Sequence, residues 1–499
     1  MKKGYILSRL IRSVASILII MIMVFIMVYA MVPRQNIFFE DGTYTKLGGK
    51  PDEKTDYVYT TWEDLGYLDY VKINDYCEEL YGAGDARMKA AIQPDSPETA
   101  QFVEKYIAEG YTVEFLKISG KAYAYKDIPL MSRLVDWFTH LLVFDTINSV
   151  QDPDNPDLER SISFGRTPTG GLAIIGSGSV HKYLFYTDTR FPYLHQNFIK
   201  LNMGVSYPTY KGMDALAVMF NSQGTEVKVP VTYETGKEAE SAINFGTLTY
   251  KYKLDSLDKK KFTDHYANYT TNKDQPSMVG TSFIMGILAI VLAYGIGLPV
   301  GLSMAKHKDG LVDKLGMVYI IFIIAVPSLA YIYLFRLMGT TFFGLPSAFP
   351  ILGPGDIRSW ILPTISLALP SISSLMLWSR RYFVDQMSSD YVKFARAKGL
   401  NQKEIFRRHI FKNAIIPIAQ GIPSSILLCI TGAIMTEAIY SVGGMGKMIP
   451  DAAKQYNNII LVALTFLFSS VSVLSVLLGD ILITKIDPRI SLSEKAGRS

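Results

Sequence analysis

Cysteine is almost absent from this sequence of 499 residues. Of its two cysteines, Cys77 lies in a polar stretch and Cys429 lies inside a long apolar run, so the sequence predicts no internal disulfide. This scarcity neither indicates nor excludes an exported domain, because many bacterial surface domains lack cysteine.

Motifs for nucleotide binding and hydrolysis are also missing. A P-loop needs Gly-x-x-x-x-Gly-Lys-Ser/Thr, but here Gly446-Lys447 is followed by Met448. The six histidines lack zinc-site spacing, and no Gly-x-Ser-x-Gly nucleophile motif occurs. We therefore expect no catalytic residue, no metal site and no cofactor in this chain.

Charge is unevenly distributed along the sequence. Residues 33–275 carry 26 Lys and Arg against 34 Asp and Glu, a net charge of −8, whereas the whole chain has a net charge of +5. The positive charge lies in segments that flank apolar runs, so the pattern does not suit a basic tail for nucleic acid. We expect no nucleic-acid partner.

Six apolar runs are long enough to cross the ~30 Å hydrocarbon core of a membrane. The first is longer than the ~7–15-residue apolar region of a signal peptide, so we expect a retained helix rather than a cleaved signal. The runs lie at about residues 13–32, 278–305, 316–339, 359–379, 414–439 and 458–484.

Lys and Arg around these runs predict the orientation of the chain. Twenty of them flank the runs on one side, against four in the short loops of the other side. By the positive-inside rule, which exempts long translocated domains, both termini are cytoplasmic and residues 33–275 are extracellular. Arg336 and Asp480, about a turn from helix ends, are expected to snorkel or to pair there.

The long segment between the first two runs reads as a mixed α+β domain. Residues 97–109 have a helical pattern, and residues 112–125, 227–232 and 243–254 have strand patterns. Residues 128–143 predict an amphipathic helix, which lies either on the membrane surface or in the domain core.

Proline and glycine are frequent in the apolar runs. They predict a bundle that flexes around a pathway, although ordinary helix packing also uses these residues. Those within or at the ends of runs are Gly295, Gly297, Pro299, Gly301, Pro327, Pro363, Pro370, Pro417, Gly421, Pro423 and Gly432.

The polar stretch between the fourth and fifth runs predicts two short helices. Ser389 or Asp390 can cap the first helix, and Gly399 can end it in a left-handed conformation. Asn401 and Glu404 have the spacing of a capping box for the second helix. Two capped helices around a glycine form a rigid elbow outside the bilayer, suited to docking against another molecule.

The elbow carries the most specific pattern in the sequence. It contains Asp390, Tyr391, Phe394, Ala395, Arg396, Ala397, Lys398, Gly399, Leu400, His409, Asn413 and Pro417. This pattern resembles the coupling loop of binding-protein-dependent ABC importer permeases, in the variant of the oligopeptide branch, which lacks the general Glu-Ala-Ala at residues 393–395. The resemblance implies that the elbow docks on an ATPase subunit; a solvated basic loop is the alternative.

Segments outside the elbow extend the resemblance. Pro129–Leu142 is similar to a short amphipathic segment of the peptide branch, and Gly204-Val205-Ser206 is similar to its Gly-x-Ser motif. Residues 33–125 and 145–198 are additional to ordinary members, and they resemble the enlarged outer domain of peptide permeases of Gram-positive cocci.

The fifth run ends in a carboxylate. Glu437 stands where the family has a Glu before a Pro-Gly-x-Gly turn, but the turn here is Gly443-Gly444-Met445-Gly446 and lacks the proline. A charge at this depth is a candidate for a translocation pathway or gate, together with the three glycines of the turn. A structural role in capping the loop is equally open.

The resemblance implies a fold: an α-helical polytopic membrane protein of the type I ABC importer permease class. It has six transmembrane helices and a large extracellular α+β domain inserted between helices 1 and 2. The expected division is a tail and first helix at 1–32, the extracellular domain at 33–275, a five-helix permease domain at 276–484 with the coupling loop at 380–413, and a cytoplasmic tail at 485–499.

The resemblance also implies a function, namely translocation of oligopeptides into a bacterial cell by alternating access. The expected partners are a second homologous permease subunit, two cytoplasmic ABC ATPases that bind ATP and Mg, an extracellular peptide-binding lipoprotein and the lipid membrane. A membrane-anchored receptor is the runner-up, although the short inside loops hold no output domain. A channel or ion-coupled carrier would favour midplane carboxylates, which are scarce here.

Overall fold

A computed structural model gives the architecture of most of the chain. It describes residues 3–144, 161–166, 171–177, 183–187, 192–194, 199–243, 248–250, 254–263, 265–268 and 271–486. Most of the expected tail at 485–499 lies outside the described residues.

Nineteen α-helices occur in the described residues, and the longest of them follow the apolar runs. They are α1 Lys3–Met31, α2 Gly42–Lys46, α3 Pro51–Asp64, α4 Ile73–Tyr81, α5 Met88–Ala91, α6 Pro97–Ala108, α7 Leu130–Thr139, α8 Ala215–Phe220, α9 Met278–Leu292, α10 Leu298–Lys306, α11 Leu311–Ala325, α12 Ser328–Phe343, α13 Ile357–Ser388, α14 Asp390–Ala397, α15 Gln402–Ile405, α16 Phe411–Gln420, α17 Ile422–Tyr440, α18 Met445–Lys454 and α19 Asn458–Ile486. Two π-helical turns, Ala293–Gly297 and Phe406–Ile410, join α9 to α10 and α15 to α16.

The described strands all lie between α3 and α9. They are β1 Leu68–Lys72, β2 Thr112–Phe115, β3 Ala122–Asp127, β4 Leu142–Phe144, β5 Ser161–Arg166, β6 Leu172–Ser177, β7 Tyr183–Thr187, β8 Pro192–Leu194, β9 Ile199–Leu201, β10 Ser222–Glu226, β11 Val229–Thr232, β12 Glu238–Ser241, β13 Leu248–Tyr250, β14 Tyr266–Asn268 and β15 Lys273–Ser277. All the pairings are antiparallel, in sheets ordered β1-β3-β2 and β5-β6-β7-β8 and in four two-stranded ladders.

We call residues 33–275 the insert. Its helix predicted at 97–109 is present as α6, which Ser96 caps by accepting a hydrogen bond from Thr99 N. The strand pattern at 112–125 is the hairpin of β2 and β3, and the pattern at 227–232 contains β11. Of the pattern at 243–254, β13 and a bridge at Ile243 are described, and part of it lies outside the described residues.

The helix predicted at residues 128–143 is shorter in the structure. It ends at Thr139, because the chain turns into β4, which pairs with β9. Leu134 is buried, whereas Met131 and Val135 are exposed. The ring of Trp137 contacts Phe25 of α1, so α7 packs beside the first apolar helix. Whether its exposed apolar face lies on the membrane surface stays a prediction.

Four described helices are long and apolar enough to cross a membrane. They are Ser8–Met31, Met278–Lys306, Ile357–Ser388 and Asn458–Leu482. The run at 414–439 is divided between α16 and α17, which meet at Gly421. Six spans therefore stay a prediction.

The run at 316–339 is not one straight helix, contrary to expectation. Helices α11 and α12 meet at an angle of 117°, and together they could form a broken span or a re-entrant loop. Val326 has extended backbone with ψ 131°, as residues before proline do, and Pro327 has no N–H to continue the helix. The sequence placed this proline inside a span, and the structure shows that it breaks the span.

Candidate functional site

The elbow is built from α14, a glycine and the helical segment that begins at α15. Gly399 has φ +78°, a left-handed conformation that L-residues with a Cβ rarely adopt. Gly399 N donates to Arg396 O, and Leu400 N donates to Ala395 O. This pair of bonds is a Schellman ending, so the predicted stop at Gly399 is confirmed.

The two predicted caps are present only in part. Asn401 Oδ1 accepts from Glu404 N at 2.8 Å, as expected. The Glu404 carboxylate does not complete the capping box, because it pairs with Arg408 at 3.0 Å instead. Ser389 occupies the first cap position, but its hydroxyl donates to Asp385 O at 3.0 Å and does not cap α14.

The elbow begins later than predicted. Residues 380–388 belong to α13, which continues without a break beyond the apolar run at 359–379. Arg380 therefore lies within a helix. It forms a bidentate ion pair with Asp313, with Nε 2.5 Å from Oδ1 and Nη2 2.7 Å from Oδ2. Asp313 is buried, and the sequence analysis missed this pair, which ties α13 to α11.

The first helix of the elbow has two unlike faces. Val392 and Ala395 are buried in a cluster with Phe383 of α13 and Ile405 of α15. Phe394 is 69% exposed, although it is a large apolar side chain. The helix is thus fixed by one face to its own bundle, and it presents an aromatic residue on the other.

The remaining predicted docking residues divide in the same way. Tyr391 OH donates to Gln386 Oε1 at 2.6 Å, and its ring lies 6.4 Å from the ring of His409. Asn413 and Pro417 are half-buried, farther along the chain. Asp390, Arg396, Ala397, Lys398 and Gly399 are exposed. Ala395, predicted as a docking residue, is instead 6% exposed and part of the packing.

A second candidate site surrounds Glu437, at the other end of the α16–α17 segment. We call residues 441–447 the Gly-turn. The Glu437 side chain is 1% exposed, and its carboxylate accepts from Ser282 Oγ at 2.6 Å and from Lys447 N at 2.8 Å. Ser282 Oγ in turn accepts from Met445 N at 2.7 Å. The carboxylate therefore holds the Gly-turn against α9.

Two glycines of this turn are packed against the carboxylate, and the third lies against Gln223. A Cβ added to Gly444 would lie 2.4 Å from the Glu437 carboxyl carbon, closer than any real contact allows. A Cβ on Gly446 would lie 2.9 Å from Ile434 N, and one on Gly443 would lie 2.7 Å from Gln223 Oε1. The structure thus brings together the four residues that the sequence singled out, in an arrangement that caps the turn.

Two further bonds close this end of the bundle. Arg336 Nη1 donates to Ile439 O at 2.9 Å, and Phe349 N donates to Tyr440 O at 2.8 Å. Arg336 thus satisfies a carbonyl at the end of α17, consistent with the expected pairing near a helix end. Asp480 of α19, the other charge expected to pair near a helix end, forms an ion pair with Arg9 of α1.

The insert is hydrogen-bonded to the same end of the bundle. Ser206 of the Gly-x-Ser motif accepts from Asn457 Nδ2 at 2.8 Å, and Thr209 Oγ1 donates to Gln455 Oε1 at 3.2 Å. Asn458 Nδ2 donates to Tyr67 OH at 3.1 Å. The Gly-x-Ser segment is therefore a joint between the insert and the segment that links α18 to α19.

A cavity of about 490 Å³ opens between α9, α12, α13 and the α16–α17 segment; we call it the central groove. Hydroxyl groups are frequent in its lining, and none of its described lining residues is charged. The hydroxyl oxygens of Tyr294 and Ser425 lie 3.3 Å apart across it, and those of Ser366 and Tyr440 lie 2.9 Å apart. The polar lining residues are Tyr294, Ser328, Tyr331, Ser366, Ser371, Ser374, Tyr382, Ser425 and Thr436.

The central groove was not predicted from the sequence. Its hydroxyl residues are scattered over α12, α13, α17 and the π-helical turn after α9. Ser and Thr in apolar runs are common enough to carry no signal alone. The only indication was Pro370 and Pro417, two of the prolines expected to mark flexible positions, which both line it. Its volume lies within the ~300–1,000 Å³ range of small-ligand sites.

Comparison with known proteins identifies the family. Residues 297–492 match the family model of the binding-protein-dependent transport system inner membrane component. The oligopeptide transport system permease protein AmiC of Streptococcus pneumoniae is 40% identical over 504 aligned positions, which cover 99% of this chain and 100% of AmiC. The similarity therefore includes the insert.

Other matches cover a smaller part of the chain. The dipeptide transport system permease protein DppB of Lactococcus lactis is 31% identical over 212 positions, covering 42% of this chain and 69% of DppB. An inward-facing structure of the MetNI methionine ABC transporter matches with a TM-score of 0.35 and 14% identity, covering 42% of this chain and 93% of that one. The sequence matches are sufficient: the chain belongs to the binding-protein-dependent transport system inner membrane components, the permease subunits of ABC importers.

Proposed function

We propose that this chain is a permease subunit of an oligopeptide importer and that partner ATPases drive it through the elbow. The observation that carries the substrate class is the similarity to AmiC, which extends over the whole chain, the insert included. A peptide backbone is costly to bring into hydrocarbon, so its passage needs a polar enclosed route. The central groove supplies hydroxyl groups without charges, which suits hydrogen bonding to peptide groups whatever the side chains.

The proposed assembly follows the family. This chain pairs with a second homologous permease, two cytoplasmic ATPases that bind ATP and Mg, and an extracellular peptide-binding lipoprotein. Its six spans place both termini in the cytoplasm and the insert outside, with the elbow facing the ATPases. The charge distribution supports this orientation, since Lys and Arg concentrate around the elbow side.

Phe394 is the residue of the elbow on which the docking proposal depends most. It is exposed on a helix whose opposite face is fixed, so a partner groove can enclose it without reorganising the bundle. Large aromatic side chains that fill a partner pocket commonly contribute ~2 kcal/mol or more to binding. His409, Asn413 and Pro417 have a different part in this proposal: they connect the elbow to the central groove.

The test replaces this side chain and measures the complex. Phe394→Ser should reduce copurification of the ATPases and peptide-stimulated ATP hydrolysis at least tenfold, with the melting temperature of the chain unchanged. Ile118→Ser is the matched control, because Ile118 is an apolar residue 75% exposed on the insert. Undiminished ATPase binding by Phe394→Ser would refute the docking role. Peptide transport by the purified chain alone would refute the proposed function.

The insert has its own proposed role, that of a fixed cover over the outer end of the bundle. Its hydrogen bonds to residues 455–458 and the contact of Gln223 Nε2 with Gly443 O at 3.3 Å support this role. These bonds join it to the segment that carries α18, rather than to α12 or α13. We therefore expect the cover to move with α18 and the start of α19.

A further inference from the structure

A second cavity lies where the insert meets the Gly-turn. Its volume is about 380 Å³, within the ~300–1,000 Å³ range of small-ligand sites, and we call it the junction groove. Thr209, Tyr210 and Gln223 line it from the insert. Residues of the Gly-turn and α18 line it from the bundle, so neither part of the chain forms it alone.

Helix α18 presents a polar stripe to this groove. Lys447, Asp451 and Gln455 are spaced four residues apart, so they lie on one face, and all three line the cavity. Another face of the helix is fixed, because Met445 is buried and Ile449 packs against the same cluster, which includes Ile460 of α19. The packing of α18 against α19 therefore holds the polar stripe in place.

Hydrogen bonds between insert and bundle close both ends of the groove. At one end Thr209 Oγ1 donates to Gln455 Oε1, and at the other Gln223 Nε2 donates to Gly443 O. Lys447 and Asp451 lie between these ends. The groove is thus open in the middle, where its two charged side chains lie.

Lys447 and Asp451 do not form an ion pair with each other. In the part of the chain that the structure describes, neither side chain forms an ion pair, although a Lys and an Asp four residues apart on a helix are placed to do so. The ammonium of Lys447 also interacts electrostatically with the buried Glu437 carboxylate beneath it. Asp451 is left as the anion of the groove that has no cationic partner among the described residues.

From this geometry we infer that the junction groove binds the amino-terminal residue of an incoming peptide. Its α-ammonium group pairs with Asp451, and its first carbonyl accepts from Lys447. Gln223 Oε1 and Gln455 Nε2 remain for the next peptide group, because only their other side-chain atoms are used in the bonds at the ends. This inference rests on the proposed function and assigns a first contact for the peptide at the outer end.

The test uses the complete reconstituted transporter with its lipoprotein. Asp451→Asn should raise the concentration of a free-amine peptide at half-maximal uptake about tenfold, the effect of losing one charge-assisted hydrogen bond. Asp451→Glu should restore much of the loss. Lys454→Gln, an exposed change on α18 outside the groove, should have no effect.

An N-acetylated version of the same peptide separates recognition from structure. The ratio of variant to wild type is compared for each peptide, because acetylation can also change capture by the lipoprotein. With the acetylated peptide, Asp451→Asn and wild type should behave alike. An equal loss with both peptides would overturn the inference and indicate a lipoprotein-docking surface, and no loss with either would also overturn it. Failure of the wild-type transporter to take up any peptide would instead refute the proposed function.

Discussion

The two ends of the segment formed by α16 and α17 are built in opposite ways. At the elbow end, charged side chains are exposed and Phe394 has no cover. At the Gly-turn end, Glu437 is buried and the backbone of the turn bonds to its carboxylate and to Ser282. At the Gly-turn end the chain hydrogen-bonds its own buried polar groups. At the elbow end it leaves a large apolar side chain exposed to solvent.

This difference indicates where a partner is needed. Exposed ion pairs such as Asp390–Lys393 contribute little to stability, so the exposed face of the elbow is not explained by folding. The Gly-turn, in contrast, contributes to stability whether or not a partner is present. Changes at the Gly-turn should therefore act through stability, and changes on the outer face of the elbow should act through binding.

The largest expected effect comes from removing the buried carboxylate. Glu437→Ala leaves Ser282 and the backbone N–H of Lys447 without their acceptor, at about 1–3 kcal/mol for each buried group. We expect the melting temperature in detergent to fall by several degrees and transport to be lost. Glu404→Ala, which removes an acidic side chain at the elbow, should change the melting temperature little. Equal shifts for the two variants would contradict the comparison.

A glycine at each end gives a smaller and more specific test. Gly444→Ala places a Cβ against the Glu437 carboxylate, and such overpacking typically costs about 1–3 kcal/mol. Gly399→Ala meets no atom within 4 Å, so its cost is only the left-handed backbone, about 1–2 kcal/mol. Thermal melting should rank the variants in that order.

The two glycine variants should also differ in what they do to the complex. Gly399→Ala should uncouple ATP hydrolysis from peptide uptake, because the elbow changes shape, whereas Gly399→Asn should restore coupling since Asn tolerates this conformation. Gly444→Ala should leave the ratio of uptake to hydrolysis unchanged in the protein that remains folded. If Gly399→Ala lowered the melting temperature more than Gly444→Ala, the Gly-turn would have space for a Cβ at residue 444, contrary to the structure.

Local features of both ends could be predicted from the sequence. Gly399 and Asn401 act through bonds to residues within a few positions of themselves, so spacing alone was enough to find them. Glu437 was found as a charge at the end of an apolar run, and its glycines were found through the family resemblance. The family resemblance rested on these same local motifs, and the comparisons confirmed it.

Features that depend on distant residues could not be predicted. Arg380 and Asp313 are 67 positions apart, and Ser282 and Glu437 are 155 apart, so no periodicity relates them. The apolar run at 359–379 indicated the thickness of hydrocarbon, but α13 ends only at Ser388 because a helix continues wherever its backbone bonds are satisfied.

The smallest expected effect is on the pH dependence of stability. It compares two carboxylates outside the apolar runs, Asp41 in the insert and Asp390 in the elbow. Burial alone would raise the pKa of Asp41, but hydrogen bonds from Tyr207, Tyr57 and the backbone of Tyr44 and Thr43 hold it below its ordinary value. The Lys393 side chain likewise lowers the pKa of Asp390, which is exposed. Solvent screens the second interaction but not the first.

The two carboxylates should therefore respond differently to acid. A lowered folded-state pKa gives stability that is complete above the unfolded value of about 3.9 and is lost as the pH falls through the folded value. The melting temperature of Asp41→Asn should lie below that of the wild type at pH 7, and the gap should close below about pH 4. Asp390→Asn should show no gap at any pH. A constant gap for Asp41→Asn would mean that its hydrogen bonds do not depend on charge, and would contradict the comparison.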